Sequence, residues 1–588
     1  MVEKIVNYMV INGEVASSGV ARGQAFVCSW TDLVAMSQRK VGETQAQKEL
    51  EKFDAAVVVA EKELIDLQKN VHQTIGKQES MIFGAQILLL HDPMLRNEVS
   101  SICLNEKINV EAALELSIDK LTALFVKMQD PYFRERAADL RDVGKRLQNI
   151  LGKSGSPRTP VFPNGSVIVT NELLPSIVAQ LNSRTIRGLI LEKGGQTAHA
   201  TILARAEGIP VLIHVPDAMK SIHTGDRLIV DGLVGRVFIN PTPAILHEYD
   251  LLEKDLKANL TALKGLINLP AVTLDGIQIK LCSNIGKFAD AVTAAKVNAE
   301  GIGLYRTELA FLVQDHFPSE EEQYAIYRKT ADRVAPREVV IRVLDIGSDK
   351  VLPYFSLPFE VNPSLGSRGI RLLLAHPEIL HTQLRAILRL SATHPVSILF
   401  PMVGGVEDML SAKVAIEKAK TSLTTERQLF NQDILVGAMI EIPSAAIMIG
   451  RLAHEVDYFS IGTNDLVQYL LTIDRASSDM ASYYEPLHPA ILKMLAFIVA
   501  EVKTKGKSLS ICGEMAGNPA YTQLLLGIGF RSFSVSPGEI LAIKNVIRST
   551  NIQKAENLAQ QVLELGTIRE IKDCLHCSAS KAVSSPAG

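Results

Sequence analysis

Long apolar runs are missing from this chain. Nowhere do about eighteen apolar residues follow one another, so no segment is suited to cross a bilayer as a helix. The opening residues Met1 to Tyr8 hold an acid and an amide where a secretory signal carries a basic patch and then an apolar run. Cysteine is scarce, 6 in 588 residues, too few and too scattered for a disulfide framework. An excess of either charge is also missing. With 61 basic and 64 acidic residues the net charge is −3, which leaves no electrostatic footprint for nucleic acid or an anionic membrane. Nucleotide loops are missing too. The Gly19 to Gly23 stretch lacks both the Lys-Ser/Thr of a P-loop and the spacing of a dinucleotide fingerprint, and reads as a turn. These absences predict a cytosolic globular protein with no nucleic-acid partner and no direct membrane insertion.

What is present is enough chain for about four domains. The segment to about Trp30 is Gly-rich with short apolar stretches such as Gly23–Val27, which read as strand. From about Val41 to Leu151 the pattern turns helical, with Phe53, Ala56, Val57, Ala60, Leu64 and Leu67 spaced by three and four. Further helices are expected over Ile82–Leu90, Glu111–Leu124 and Arg134–Leu147. Gly152 to Pro157 then reads as a linker. Short β-branched runs follow at Val167–Val169, Gly188–Leu191, Val211–Val215, Arg227–Val230 and Arg236–Ile239. The pattern predicts a small α/β unit, residues 1–30 and 155–243, interrupted by a helical insertion, residues 31–154.

Residues 244–268 predict a charged amphipathic linker helix closed by Leu269-Pro270. Beyond it eight apolar strand candidates alternate with helical segments: Ile277–Cys282, Gly301–Tyr305, Val339–Leu344, Val396–Pro401, Ile434–Ile440, Tyr458–Ile461, Ser508–Cys512 and Phe533–Val535. That alternation predicts a closed (β/α)8 barrel over 269–565, with a C-terminal tail at 566–588. Polar groups stand at the strand ends: Asn284, Arg306, Asp345, Glu441, Asp465 and Glu514. In such a barrel the strand C-termini converge on one mouth, where active sites lie.

Three groups of residues carry chemistry. In Gly194-Gly195-Gln196-Thr197-Ala198-His199, paired glycines turn the chain sharply and Thr197 can cap a helix, which puts His199 in its first turn. There the helix N-terminus, with Arg205 two turns on, favours a dianion on the imidazole, and a neutral imidazole is a nucleophile. At the barrel mouth Arg306, Arg342 and Arg475 offer planar forks for phosphate or carboxylate oxygens, and Asn464 adds a neutral donor. Glu441 and Asp465 follow consecutive strands and can hold Mg2+. Cys512 ends the seventh strand, where a thiol can donate a proton to a carbanion. Cys574 and Cys577 make only half a zinc site, in a tail expected to be frayed.

Taken together these segments resemble the phosphoenolpyruvate–protein phosphotransferases, the Enzyme I family of the bacterial sugar phosphotransferase system. The resemblance rests on Gly-Ile-Gly-Leu-Tyr-Arg-Thr-Glu (301–308), Asn-Pro-Ser-Leu-Gly-Ser-Arg (362–368), Phe-Ser-Ile-Gly-Thr-Asn-Asp-Leu (459–466), Cys-Gly-Glu-Met-Ala-Gly (512–517) and Glu-Arg-Ala-Ala-Asp-Leu-Arg-Asp-Val-Gly-Lys-Arg (135–146). It implies that His199 takes the phosphoryl group of phosphoenolpyruvate, releasing pyruvate, and passes it to a small histidine-containing phosphocarrier protein. It further implies that Arg306, Arg342, Asn464, Asp465 and Arg475 bind phosphoenolpyruvate, that Glu441 and Asp465 hold Mg2+, and that Cys512 protonates the enolate. It implies a homodimer as well. The chain departs from the family's usual Gly-Gly-Arg-Thr-Ser-His at Gln196 and Ala198, which lack the positive charge and the hydroxyl beside the ring.

Overall fold

The computed structural model describes residues 8–28, 39–74, 77–127, 131–152, 162–171, 186–193, 201, 204, 208–312, 314, 316–347, 352, 354–355, 357–358, 360, 362–474, 480 and 483–583. The chain divides into two compact units, Met1–Lys257 and Ala258–Gly588.

In the first unit eight strands form one sheet: β1 (Met9–Asn12), β2 (Glu14–Ser17), β3 (Val20–Val27), β4 (Ser166–Thr170), β5 (Ile186–Leu191), β6 (Val211–Ile213), β7 (Arg227–Asp231) and β8 (Arg236–Ile239), in the order β1-β8-β7-β3-β4-β5-β6-β2. Strands β3 to β6 run parallel, and the flanking pairs are antiparallel. The parallel centre is made of apolar runs with every residue of β4 buried, as a strand covered on both faces requires.

Five helices are inserted between β3 and β4: α1 (Glu43–Thr74), α2 (Lys77–Leu90), α3 (Pro93–Glu106), α4 (Val110–Lys127) and α5 (Pro131–Leu151). The stripe read from α1 is its core face, for Phe53, Ala56, Ala60 and Leu64 are all buried. Helix α3 was not among the expected helices. It begins where Asp92 accepts the Met94 N–H at 2.8 Å with Pro93 in the first turn, and buries only Leu95, Val99 and Cys103. The expected linker helix is present as Pro243–Gly265.

In the second unit strands β9 (Lys280–Ile285), β10 (Ile302–Arg306), β11 (Val339–Arg342), β12 (Val396–Phe400), β13 (Val436–Ile440), β14 (Tyr458–Gly462), β15 (Ser508–Cys512) and β16 (Ser532–Val535) close an all-parallel barrel. Leu304, Val340, Leu399, Met439 and Cys512 pack inside it. A larger core lies between strands and helices. Seven strands coincide with their expected runs within two residues, and β9 starts three residues later than expected. Ile277 belongs to a turn instead: the Thr273 N–H bonds its carbonyl at 3.0 Å, and Gly276 supplies the φ of +83° that the turn needs. The tail is also corrected. Ile568–Val583 is helical, Ile571 is fully buried and Cys574 packs against the barrel core, so this stretch is docked and not frayed.

Candidate active site

The strand C-termini gather charged side chains at one end of the barrel, as expected. Arg306 and Arg342 are paired across the last rung of the β10–β11 ladder. Arg306 is exposed, whereas Arg342 is buried. The Arg342 guanidinium pairs with Glu308 and, at 3.2 Å, with Asp345. Burial works against its charge, but Glu308 and Asp345, followed by Glu441 and Asp465, outweigh that cost and hold it protonated. Its Nε is buried without a hydrogen-bond partner among the described residues. A buried donor left open costs free energy unless an acceptor arrives. A phosphate or carboxylate oxygen is an acceptor of the right sign.

Asp345 is fully buried and bridges two arginines. It accepts from Arg368 Nε and Nη2, each at 3.0 Å. Arg368 then reaches Asp465 at 3.3 and 3.4 Å and the Tyr469 hydroxyl at 3.5 Å. Arg368, nearly inaccessible, and Asp345 thus fix the orientation of the Asp465 carboxylate. In the sequence Arg368 stands out only as the end of a motif, and Asp345 only as a strand-end charge. Arg368 has no strand directly before it, so position in the repeat gives no signal for it. Its neighbours in the Asn-Pro-Ser-Leu-Gly-Ser-Arg stretch, a one-turn helix at Pro363–Leu365, were the available cue.

Glu441 and Asp465 lie just past the ends of β13 and β14, Asp465 within the first turn of the helix Thr463–Leu471. The Glu441 carboxylate accepts the Met402 N–H at 2.6 Å. Burial, and then the facing charges of Asp465 and Asp345, push its carboxyl pKa upward. Three buried carboxyl groups face one another here, and a divalent cation would relieve that repulsion. The donor set therefore fits a hard cation held by two carboxylates, with its remaining positions left to water and substrate oxygens. Among the described residues no group of three or more His, Cys, Asp or Glu side chains is arranged to hold a metal ion by itself.

Asn464 is locked to the next loop: its Oδ1 accepts the Glu514 N–H at 2.9 Å and its Nδ2 donates to Glu514 Oε1 at 3.3 Å. Cys512 is the last residue of β15, 2% exposed. Its Sγ donates to the Ile461 carbonyl at 3.1 Å and accepts from the Ser460 hydroxyl at 3.9 Å. Burial pushes the thiol up to about 11, against the pull of Arg306, so it keeps its proton at neutral pH. The structure thus brings Arg306, Arg342, Glu441, Asn464, Asp465 and Cys512 to one barrel end. His199 and Arg475 lie outside the described residues.

A barrel mouth with clustered arginines, paired carboxylates and a protonated thiol defines an enzyme built to handle a small polyanion. The comparisons with known proteins agree. Residues 261–552 match the PEP-binding domain of PEP-utilising enzymes, residues 12–136 their N-terminal domain and residues 162–235 their mobile domain. Phosphoenolpyruvate-protein phosphotransferases from Bacillus sp. (strain S), Haemophilus influenzae and Staphylococcus carnosus are each 38% identical to this chain. The matches cover 95–96% of this chain and 96–98% of those proteins. The chain belongs to the phosphoenolpyruvate-protein phosphotransferase family. No helix among the described residues is long and apolar enough to cross a membrane.

Proposed function

We propose that this chain transfers the phosphoryl group of phosphoenolpyruvate to a ring nitrogen of His199, releasing pyruvate, and then to a histidine of a small histidine-containing phosphocarrier protein. This is the first step of a sugar phosphotransferase system, carried out in the cytoplasm by a homodimer. Residues 1–30 and 155–243 form the phosphohistidine domain, and 31–154 the carrier-binding insertion. The barrel, 269–565, binds phosphoenolpyruvate and is reached through the linker 244–268. The observation that carries the reading is the open donor of buried Arg342, in the same barrel end as the proton-bearing Cys512.

In this mechanism Arg306, Arg342 and Arg475 grip the phosphate, and Asn464 donates to one of its oxygens. Glu441 and Asp465 would hold Mg2+, which when bound supplies positive charge beside the phosphate and the leaving enolate oxygen. The His199 lone pair forms the N–P bond as the P–O bond to the enolate breaks, with positioning supplying much of the acceleration. Cys512 gives its S–H proton to the methylene carbon of the enolate, completing pyruvate. The imidazole must reach both the barrel mouth and the carrier, which calls for a hinged phosphohistidine domain. The test is intact mass after incubation with phosphoenolpyruvate and Mg2+. The chain is expected to gain one acid-labile phosphoryl group, and His199→Ala to gain none. A phosphoryl group that persists in His199→Ala, or a wild-type chain that gains none, rules the reading out.

A further inference from the structure

The Arg306–Arg342 pair closes the ladder between β10 and β11, and past it the two chain ends separate to carry the site charges. On one side run Arg306, Thr307 and Glu308; on the other Arg342, Val343, Leu344 and Asp345. Val343 turns its N–H away, to the Leu399 carbonyl at 3.0 Å on the β12 side. Side chains bridge the gap that the backbone leaves. The Thr307 hydroxyl donates to the Arg342 carbonyl at 2.9 Å. Gln383, on the helix Pro377–Ser391, then takes hold of both ends. Its Nε2 donates to Thr307 Oγ1 at 3.2 Å and its Oε1 accepts the Leu344 N–H at 2.9 Å.

The second Nε2 hydrogen donates to the Tyr327 hydroxyl at 3.0 Å, and Tyr327 donates onward to Gln323 Oε1 at 3.1 Å. Gln323 closes the chain on the Pro318 carbonyl at 2.8 Å. Gln383 and Thr307 are fully buried, Tyr327 and Gln323 nearly so. Both N–H groups of the Gln383 amide and its carbonyl are used, so the amide makes directed bonds in three directions. Its neighbours on the same helix face, Leu380, Ala386 and Ile387, are the apolar residues that a helix-on-strand layer ordinarily uses. A buried amide there costs desolvation that an aliphatic side chain would not. What it supplies in return is a fixed distance between two strand ends that carry opposite sides of one site.

We propose that Gln383 is a positioning residue for phosphoenolpyruvate. Through Thr307 and Leu344 it sets the spacing of the Arg306–Glu308 segment against the Arg342–Asp345 segment, and so the angle at which Arg306 and Arg342 meet the phosphate. The proposal rests on the functional reading above. Displacement of a positioning group by about 1 Å costs on the order of a hundredfold in rate.

The test is single-turnover labelling of the full chain by radioactive phosphoenolpyruvate with Mg2+, over a range of substrate concentrations, alongside melting temperature. Gln383→Met, close in volume, is expected to lower the limiting rate divided by half-saturation concentration about ten- to a hundredfold. Thr307→Val, which removes only the bridging hydroxyl, should fall in the same direction, and Thr307→Ser should recover most of the loss. Ile387→Val, buried on the same helix, controls for stability alone and should melt lower with labelling unchanged. If Gln383→Met does not fold, the Thr307 pair carries the test. Wild-type labelling in Gln383→Met or Thr307→Val overturns the proposal, as does a loss in Ile387→Val that tracks melting temperature equally. A wild-type chain that takes no label overturns the functional reading itself, and this proposal with it.

Discussion

A thiol can act as an acid only while it holds its proton, and Cys512 holds its own because burial pushes it up to about 11. Its S–H donates to the Ile461 carbonyl at 3.1 Å, which holds the sulfur in place at the end of β15. Cys512→Ser keeps the volume and substitutes a hydroxyl that is far less acidic. Phosphoenolpyruvate binding, followed by isothermal calorimetry, should persist, while pyruvate release falls by about 10²- to 10⁴-fold, the range of a lost general acid. Unchanged pyruvate release would remove Cys512 from the acid role. At this scale the sequence was informative wherever a charged or nucleophilic residue closed an apolar strand, as with Arg306, Arg342 and Cys512. It was silent on the side chains that orient those groups. Arg368 and Gln383 act through bonds to residues far away in sequence, |i−j| of 97 for Arg368–Asp465 and 76 for Gln383–Thr307, and no local pattern encodes such a partner.

Among elements, the barrel strands were most legible where a mainly apolar run is buried along its whole length, as in Val339–Arg342, Val396–Phe400 and Val436–Ile440. The edge strands β1 and β2, four residues each and partly exposed, have no such run and blurred into one Gly-rich stretch. The barrel's outer helices add something that apolar periodicity does not encode. Arg385 and Arg389, on the helix Pro377–Ser391, tie it to both neighbouring helices. Arg385 bonds Glu426 at 2.6 and 2.8 Å, and Arg389 bonds Glu320 at 2.7 Å and Glu321 at 2.5 Å. The Arg385 bond draws the Glu426 carboxyl below its ordinary 4.5, and the Arg389 bond does the same for Glu321. A carboxyl depressed in the folded state contributes stability that is fully present above its unfolded value and is lost as pH falls below it. The melting temperature of the barrel should therefore decline between about pH 5 and pH 3, and the decline should be shallower in Arg385→Met. A profile that Arg385→Met leaves unaltered would assign acid sensitivity elsewhere. Because Glu426 and Glu321 are exposed, the difference should also shrink in high salt.

At the scale of the whole molecule, the described apolar cores separate by unit. One large core runs from Ala271 to Ile571 and belongs wholly to the second unit, while the cores built on the α1–α5 helices and on the β1–β8 sheet belong wholly to the first. A chain with separate cores is not bound to melt as one cooperative block. Calorimetry should resolve two transitions, and their response to ligand should differ. A ligand that binds only the native barrel stabilises it by RT ln(1 + [L]/Kd), about 2.7 kcal/mol at a hundredfold excess over Kd. The measurement is best made on His199→Ala, which is expected to bind phosphoenolpyruvate without consuming it. Adding phosphoenolpyruvate and Mg2+ should then raise one transition by a few degrees and leave the other in place. Arg342→Met should abolish that shift, because it removes the buried donor left open for the phosphate. If both transitions rose together, or if the upward shift survived in Arg342→Met, the ligand would not be held by the barrel residues assigned to it.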